Sequence, residues 1–164
     1  MARADMVVHR EEFQRLEATI RRLRADSHAR AVLLIDKSGQ PIASTGSLED
    51  LDTTSLASLT AGNVAATDGL AKLIGEREFS VLFHQGEKDN IHISLAGDRA
   101  IVLVLFDAQS SLGLVRLRAK QAGEELVEIF AAMTAKQRLG GQQDDGDAPF
   151  EAISDEDIDI LFGE

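Results

Sequence analysis

The stretch TTSLASLTAGNVAATDGLAKLIG, from Thr53 to Gly75, decides how the chain is read. Its apolar spacing predicts a helix. Leu56, Leu59, Leu70, Leu73 and Ile74 form a row of large side chains, and this row is expected to face the core. Ser58, Gly62, Ala65 and Gly69 follow the same helical spacing with almost no side chain, although an interior glycine costs a helix roughly 1 kcal/mol relative to alanine. Small residues at i, i+3 and i+4 let another backbone approach closely and freeze no long side chain on contact. A helix crowded against its own sheet needs small residues too. Because the large row already accounts for the sheet side, the bare row is expected to meet a second molecule. Asp52 or Thr53 is expected to cap the helix and Gly75 to end it.

Outward from this helix the pattern changes to strands on both sides. Arg30 to Asp36 reads as a buried strand, KSGQP as a turn around Gly39, and Ile42 to Thr45 as the return strand. Phe79 to His84, Ile91 to Leu95 and Arg99 to Phe106 follow as three strands joined by QGEKDN and AGDR. In the second of these, Ile91, Ile93 and Leu95 are expected inward, with His92 and Ser94 outward. The third, AIVLVLF, is apolar on both faces and is expected at the centre of the sheet. The first carries Phe79, Val81 and Phe83 on one face; if it lies at an edge, that apolar edge wants a partner strand. A first helix spans His9 to Asp26 on Phe13, Leu16, Ile20 and Leu23, and a last one runs from Ser110 or Ser111 to about Gln137 on Val115, Ala119, Ala122, Leu126, Ile129 and Met133. The expected fold is α+β, a five-stranded, mainly antiparallel sheet with three helices in the order α-β-β-α-β-β-β-α.

Composition limits the function. The 164 residues are 44% apolar and contain neither Cys, Trp nor Tyr, so disulfides and thiolate metal sites are excluded. Nine acids after Arg138 account for −9 of the formal charge of −11, leaving −2 for the body. Without a concentrated basic patch, nucleic acid is not an expected partner. The longest apolar run, Ala100 to Phe106, is strand-sized, and MARADMVVHREEF lacks the apolar core of a signal peptide. Neither membrane insertion nor secretion is expected, and the cytoplasm is the expected location.

Motifs for chemistry are absent. No G-x-x-x-x-G-K-[ST] or G-x-G-x-x-G occurs, and no serine sits in G-x-S-x-G. His9, His28, His84 and His92 are scattered singly; His84 and His92 could meet across a hairpin, but two ligands without a third do not hold a metal. Asp50 and Asp52 read as helix-capping acids. No catalytic residue, metal or cofactor is expected. Arg116 and Arg118 could stabilise phosphoryl charge in a partner's active site, yet with Lys120 and Glu124 as i,i+4 neighbours they read better as a solvated helix face.

The element order, the segment DTTSLASLTAGNVAATDGLAKLIGE and FDAQSSLGLVRLRAK together resemble the Roadblock / dynein light chain superfamily with its profilin-like fold, and within it the bacterial MglB proteins. The likeness spans roughly Val8 to Met133, plus FEAISDEDIDILF near the C-terminus. It implies a homodimer formed through the middle helix and the following strand, here Ser58, Gly62, Phe79, Val81 and Phe83. It further implies that one dimer engages a single GTP-loaded, MglA-like small GTPase of the Ras type and accelerates hydrolysis without inserting an arginine finger, in bacterial cell polarity and motility, with concentration at a cell pole. Carried onto this chain, the GTPase-facing strip is Ala61, Ala65, Gly69 and Lys72, with Asp68 beside it where members of the family tend to carry a small or apolar residue.

The domain boundaries expected are a Roadblock domain over 8–137, a flexible linker over 138–149 and an acidic amphipathic docking helix over 150–164. In that last segment Ser154 can cap, and Phe150, Ile153, Ile158, Leu161 and Phe162 supply the docking side chains. The resemblance makes it a second contact on the GTPase that affects nucleotide exchange. Two other readings compete: a Roadblock-type dimeric scaffold with no effect on hydrolysis, and a ligand-sensing domain, which requires an internal pocket.

Overall fold

Ala100–Phe106, buried at every position, forms the middle of the sheet. The computed structural model describes residues 10–144, with side chains as far as residue 139. Its elements are α1 (Arg10–Ser27), β1 (Ala31–Asp36), β2 (Pro41–Gly46), α2 (Thr53–Leu73), β3 (Val81–Gln85), β4 (Asn90–Ala96), β5 (Ala100–Phe106) and α3 (Leu112–Asp144). The strand order is β2-β1-β5-β4-β3, and every pairing is antiparallel. An apolar run two-sided enough to sit at the centre must be covered on both faces, and the helices do this.

By its contacts the chain divides into two units, Met1–Phe130 and Ala131–Glu164. The first holds the sheet, α1, α2 and α3 as far as Phe130. The second, among the described residues, is the rest of α3. That helix was expected to end near Gln137 but runs to Asp144, so the stretch expected as linker begins in helical backbone. Arg138, Leu139, Gln142 and Gln143 favour helix, and Gly140 and Gly141 oppose it by only about 1 kcal/mol each.

On one face of the sheet Leu33, Ile35, Ile93, Ile101, Leu103 and Leu105 pack with Ala57 and Val64 of α2. The alternate residues Val32, Leu34, Val102, Val104 and Phe106 are buried on the other face. There α1 contributes Leu16, Ile20 and Leu23, and α3 contributes Val115, Ala119 and Leu126. Arg22 of α1 joins Glu125 of α3 at 2.7 Å.

Two expectations about facing are corrected. The large row of α2 does not face the sheet: Leu59, Leu70, Leu73 and Ile74 are exposed, and only Leu56 packs partly against the core. The sheet side is instead Ala57, Thr60, Val64 and Ala71. On the helical wheel these four cluster tightly, and their small size lets the helix axis lie close to the sheet. The leucine row lies on the opposite side. His92, expected outward, is buried, because that face of β4 is roofed by α3.

Candidate functional site

Helix α2 is held at both ends by local chemistry. Asp52 is its N-cap, accepting from the Ser55 N–H at 3.0 Å and the Ser55 hydroxyl at 2.7 Å. Those hydrogen bonds hold the Asp52 carboxyl below the usual carboxylate range. At the other end Glu76 N–H donates to the Ala71 carbonyl and Gly75 N–H to that of Lys72, with Gly75 at φ 79°. This is a Schellman ending, which needs the left-handed residue that glycine supplies. The turn between β1 and β2 abuts the same helix, since a Cβ on Gly39 would lie 3.2 Å from Ser58 Cα.

Between these anchors α2 presents three sectors: the sheet side, the bare row and the leucine row. Ser58, Gly62, Ala65 and Gly69 carry the bare row; Ser58 and Ala65 are exposed, and a Cβ built on Gly62 or Gly69 meets nothing within 4 Å. Among the described residues, therefore, neither glycine serves a close approach. Next to them Leu59 and Leu70 are 74% and 59% exposed, and Leu73 and Ile74 84% and 67%. Large apolar side chains exposed together along one side of a helix are a common feature of interaction surfaces.

The five residues assigned to the GTPase fall on one flank of α2. Ala61, Ala65, Asp68, Gly69 and Lys72 succeed one another at helical spacing, with Ala61 and Asp68 half-buried and the other three exposed. The five residues expected at the dimer interface are divided. Ser58 and Gly62 are on α2, whereas Val81 and Phe83 point to the α1–α3 side of β3, where Phe83 stacks on Phe106 at 6.2 Å. Phe79 precedes the strand and is half-buried. β3 does lie at the edge of the sheet, and Asn63 of α2 reaches His84 of β3 at 3.0 Å. The tail residues Phe150, Ile153, Ile158, Leu161 and Phe162 lie outside the described residues.

His84 and His92 do not meet. The hairpin register pairs His84 with Ile91 and His92 with Phe83, which sends the two imidazoles to opposite faces. Among the described residues no group of three metal-ligating side chains occurs, and no helix is long and apolar enough to cross a membrane. Arg116 and Arg118 are on α3, across the sheet from α2, and Arg118 binds Gln121 at 3.1 Å. The leucine row was missed as an exposed feature, although its separation from Ala57, Val64 and Ala71 on the wheel was available to find it.

The Roadblock/LC7 domain model matches residues 15–106. Among solved structures, Myxococcus xanthus MglB is 53% identical, over 77% of this chain and 96% of that one, with a TM-score of 0.73. The gliding protein MglB of Thermus thermophilus is 35% identical over 77% and 96%, also at 0.73. An MglB in a tetrameric arrangement is 34% identical over 77% and 95%, at 0.73. No curated protein sequence matches. With its sheet order, its α2 and this degree of identity, the chain belongs to the Roadblock/LC7 family and, within it, to the MglB-like proteins.

Proposed function

We propose that the chain acts as a homodimeric activator of a small GTPase of the MglA type, in the cytoplasm, in bacterial cell polarity. The observation that carries this reading is the side-chain-free row on α2 beside an exposed leucine row; the 53% identity to an MglB supports it. The two rows suit two contacts. Leu59 and Leu70, with Ser58 and Gly62, face a second copy, and the flank from Ala61 to Lys72 faces the GTPase.

The mechanism is differential binding. A surface that fits the GTP-bound, hydrolysis-competent shape better than others raises its population and lowers the barrier by that difference in affinity. Bare helix surface suits such a fit, because backbone contact orders few side chains. No arginine is needed from this surface, and the two weighed as fingers are on the other face of the sheet. The C-terminal segment serves as a second contact that influences nucleotide exchange.

Multiple-turnover GTP hydrolysis by the cognate GTPase, with and without this protein, is the direct test. The expected result is acceleration; an unchanged rate in the presence of tight binding establishes the scaffold reading instead. For the dimer, the double substitution Leu59→Asp, Leu70→Asp is expected to give a folded monomer by light scattering, since burying a carboxylate in an apolar contact costs several kcal/mol. A dimer of unchanged mass places the subunit contact elsewhere.

A further inference from the structure

On the face of the sheet away from α2, a groove of about 700 Å³ runs between α3 and strands β3 and β4. Small-molecule sites span ~300–1,000 Å³. The two ends of the groove differ in chemistry. At one end His92 forms the floor, close enough to Arg116 to feel its charge. Toward the other end the apolar walls are Val81 and Val127, Lys120, Glu124 and Glu128 of α3 line the groove as well, and Gly123 faces the Leu95 backbone, its missing Cβ falling 3.9 Å from the Leu95 carbonyl oxygen.

His92 is a buried polar residue that the fold leaves unused. Its side chain is 1% exposed, and neither Nδ1 nor Nε2 has a hydrogen-bond partner among the described residues. Burial holds the ring below the ordinary histidine value, and Arg116 acts in the same direction, both favouring the neutral imidazole. A neutral imidazole supplies one N–H donor. An apolar residue of the same volume would cover β4 at no such cost. The imidazole is accounted for when a bound molecule uses it.

We propose that this groove binds an aliphatic carboxylate, with the head group on His92 and Arg116 and the chain along Val81 and Val127. A carboxylate accepts from a guanidinium and an imidazole N–H together. Among the described residues no phenyl ring lines the groove, so a flat aromatic ligand has nothing to stack on there, whereas a methylene chain fits aliphatic walls. The site uses none of the α2 surface, and Val81 is the one residue it shares with the expected dimer interface.

Bound charge also sets a pH dependence. The charged groups that line the groove with His92 are Arg116, Lys120, Glu124 and Glu128 of α3, while Ser80, just before β3, and Ser94 of β4 contribute hydroxyls. A carboxylate beside the ring offsets Arg116 and raises the histidine's affinity for a proton. Binding then takes up a proton, and affinity rises as pH falls.

The test is calorimetric titration of the full chain with octanoate, with the His92 ring followed by NMR. A single saturable site, movement of the His92 resonances and binding weakened about tenfold or more in Arg116→Ala are expected, since a charge-assisted hydrogen bond is lost. Arg116 is exposed, so its truncation leaves the fold intact. His92→Leu is expected to remove both the binding and its pH dependence. Octanol, which has the chain without the charge, is expected to bind no better than Arg116→Ala binds octanoate. Absence of saturable binding, octanol matching octanoate, or an unchanged affinity in Arg116→Ala overturns the proposal. Loss of binding in Leu70→Asp, across the sheet, overturns it as well, by assigning the ligand to α2.

Discussion

Gly69→Arg is expected to reduce stimulation of the GTPase to near the unassisted rate while leaving the fold untouched. Gly69 is exposed, and a Cβ there meets nothing within 4 Å, so the chain accepts a side chain without rearrangement. Replacing an interior helical glycine even favours the helix by roughly 1 kcal/mol. The harm arises only when a second surface has to approach the bare strip. Forcing bulk into a fitted contact costs about 1–3 kcal/mol, which corresponds to about 5- to 150-fold in affinity. Ala65→Arg, one turn earlier and also exposed, is expected to behave alike. The measurement is GTP hydrolysis across a titration of each variant, with thermal unfolding as the control. Full stimulation by both variants removes the strip from the GTPase contact.

Gly46→Ala is expected to have the largest effect on stability, far from that surface. Gly46 ends β2 at φ 105°, a region that residues with a Cβ rarely adopt. An added Cβ would lie 2.4 Å from the Arg30 carbonyl oxygen and 2.8 Å from Ala31 Cα, both backbone atoms at the start of the paired strand. Neither can move without opening the start of the β1–β2 ladder. Left-handed strain costs about 1–3 kcal/mol and overpacking about as much again, against a total stability of roughly 5–15 kcal/mol for a domain. A large drop in the urea midpoint is expected, and an unchanged midpoint contradicts this geometry at Gly46.

The sheet was legible in the sequence because its signals are local and redundant. AIVLVLF cannot be solvated on either face, and the register of β4 and β5 follows from short turns. Asp52 and Gly75 marked the ends of α2 by capping chemistry that depends on a few neighbouring residues. The facing of α2 was not legible in the same way. Periodicity ranks apolar residues by size, so it assigned the core to Leu59, Leu70 and Leu73, whereas the sheet accepts Ala57, Val64 and Ala71. A helix with two apolar stripes has two self-consistent orientations, and long-range contacts choose between them. His92 failed for a related reason. Alternation along β4 separates its two faces but does not say that both are covered, and the cover comes from a helix that begins well after it in the chain. The bare strip was read correctly as lying off the core, since a row without side chains has little to gain from it.

The side of α2 that meets the sheet carries its smallest apolar residues, and its largest point away. Folding of a lone chain therefore leaves much of this helix's hydrophobic free energy unrealised, to be recovered only when another molecule covers it. Resistance to heat or denaturant in such a protein is a property of its solution as well as of its fold: dilution weakens it, and a ligand for that helix strengthens it by mass action.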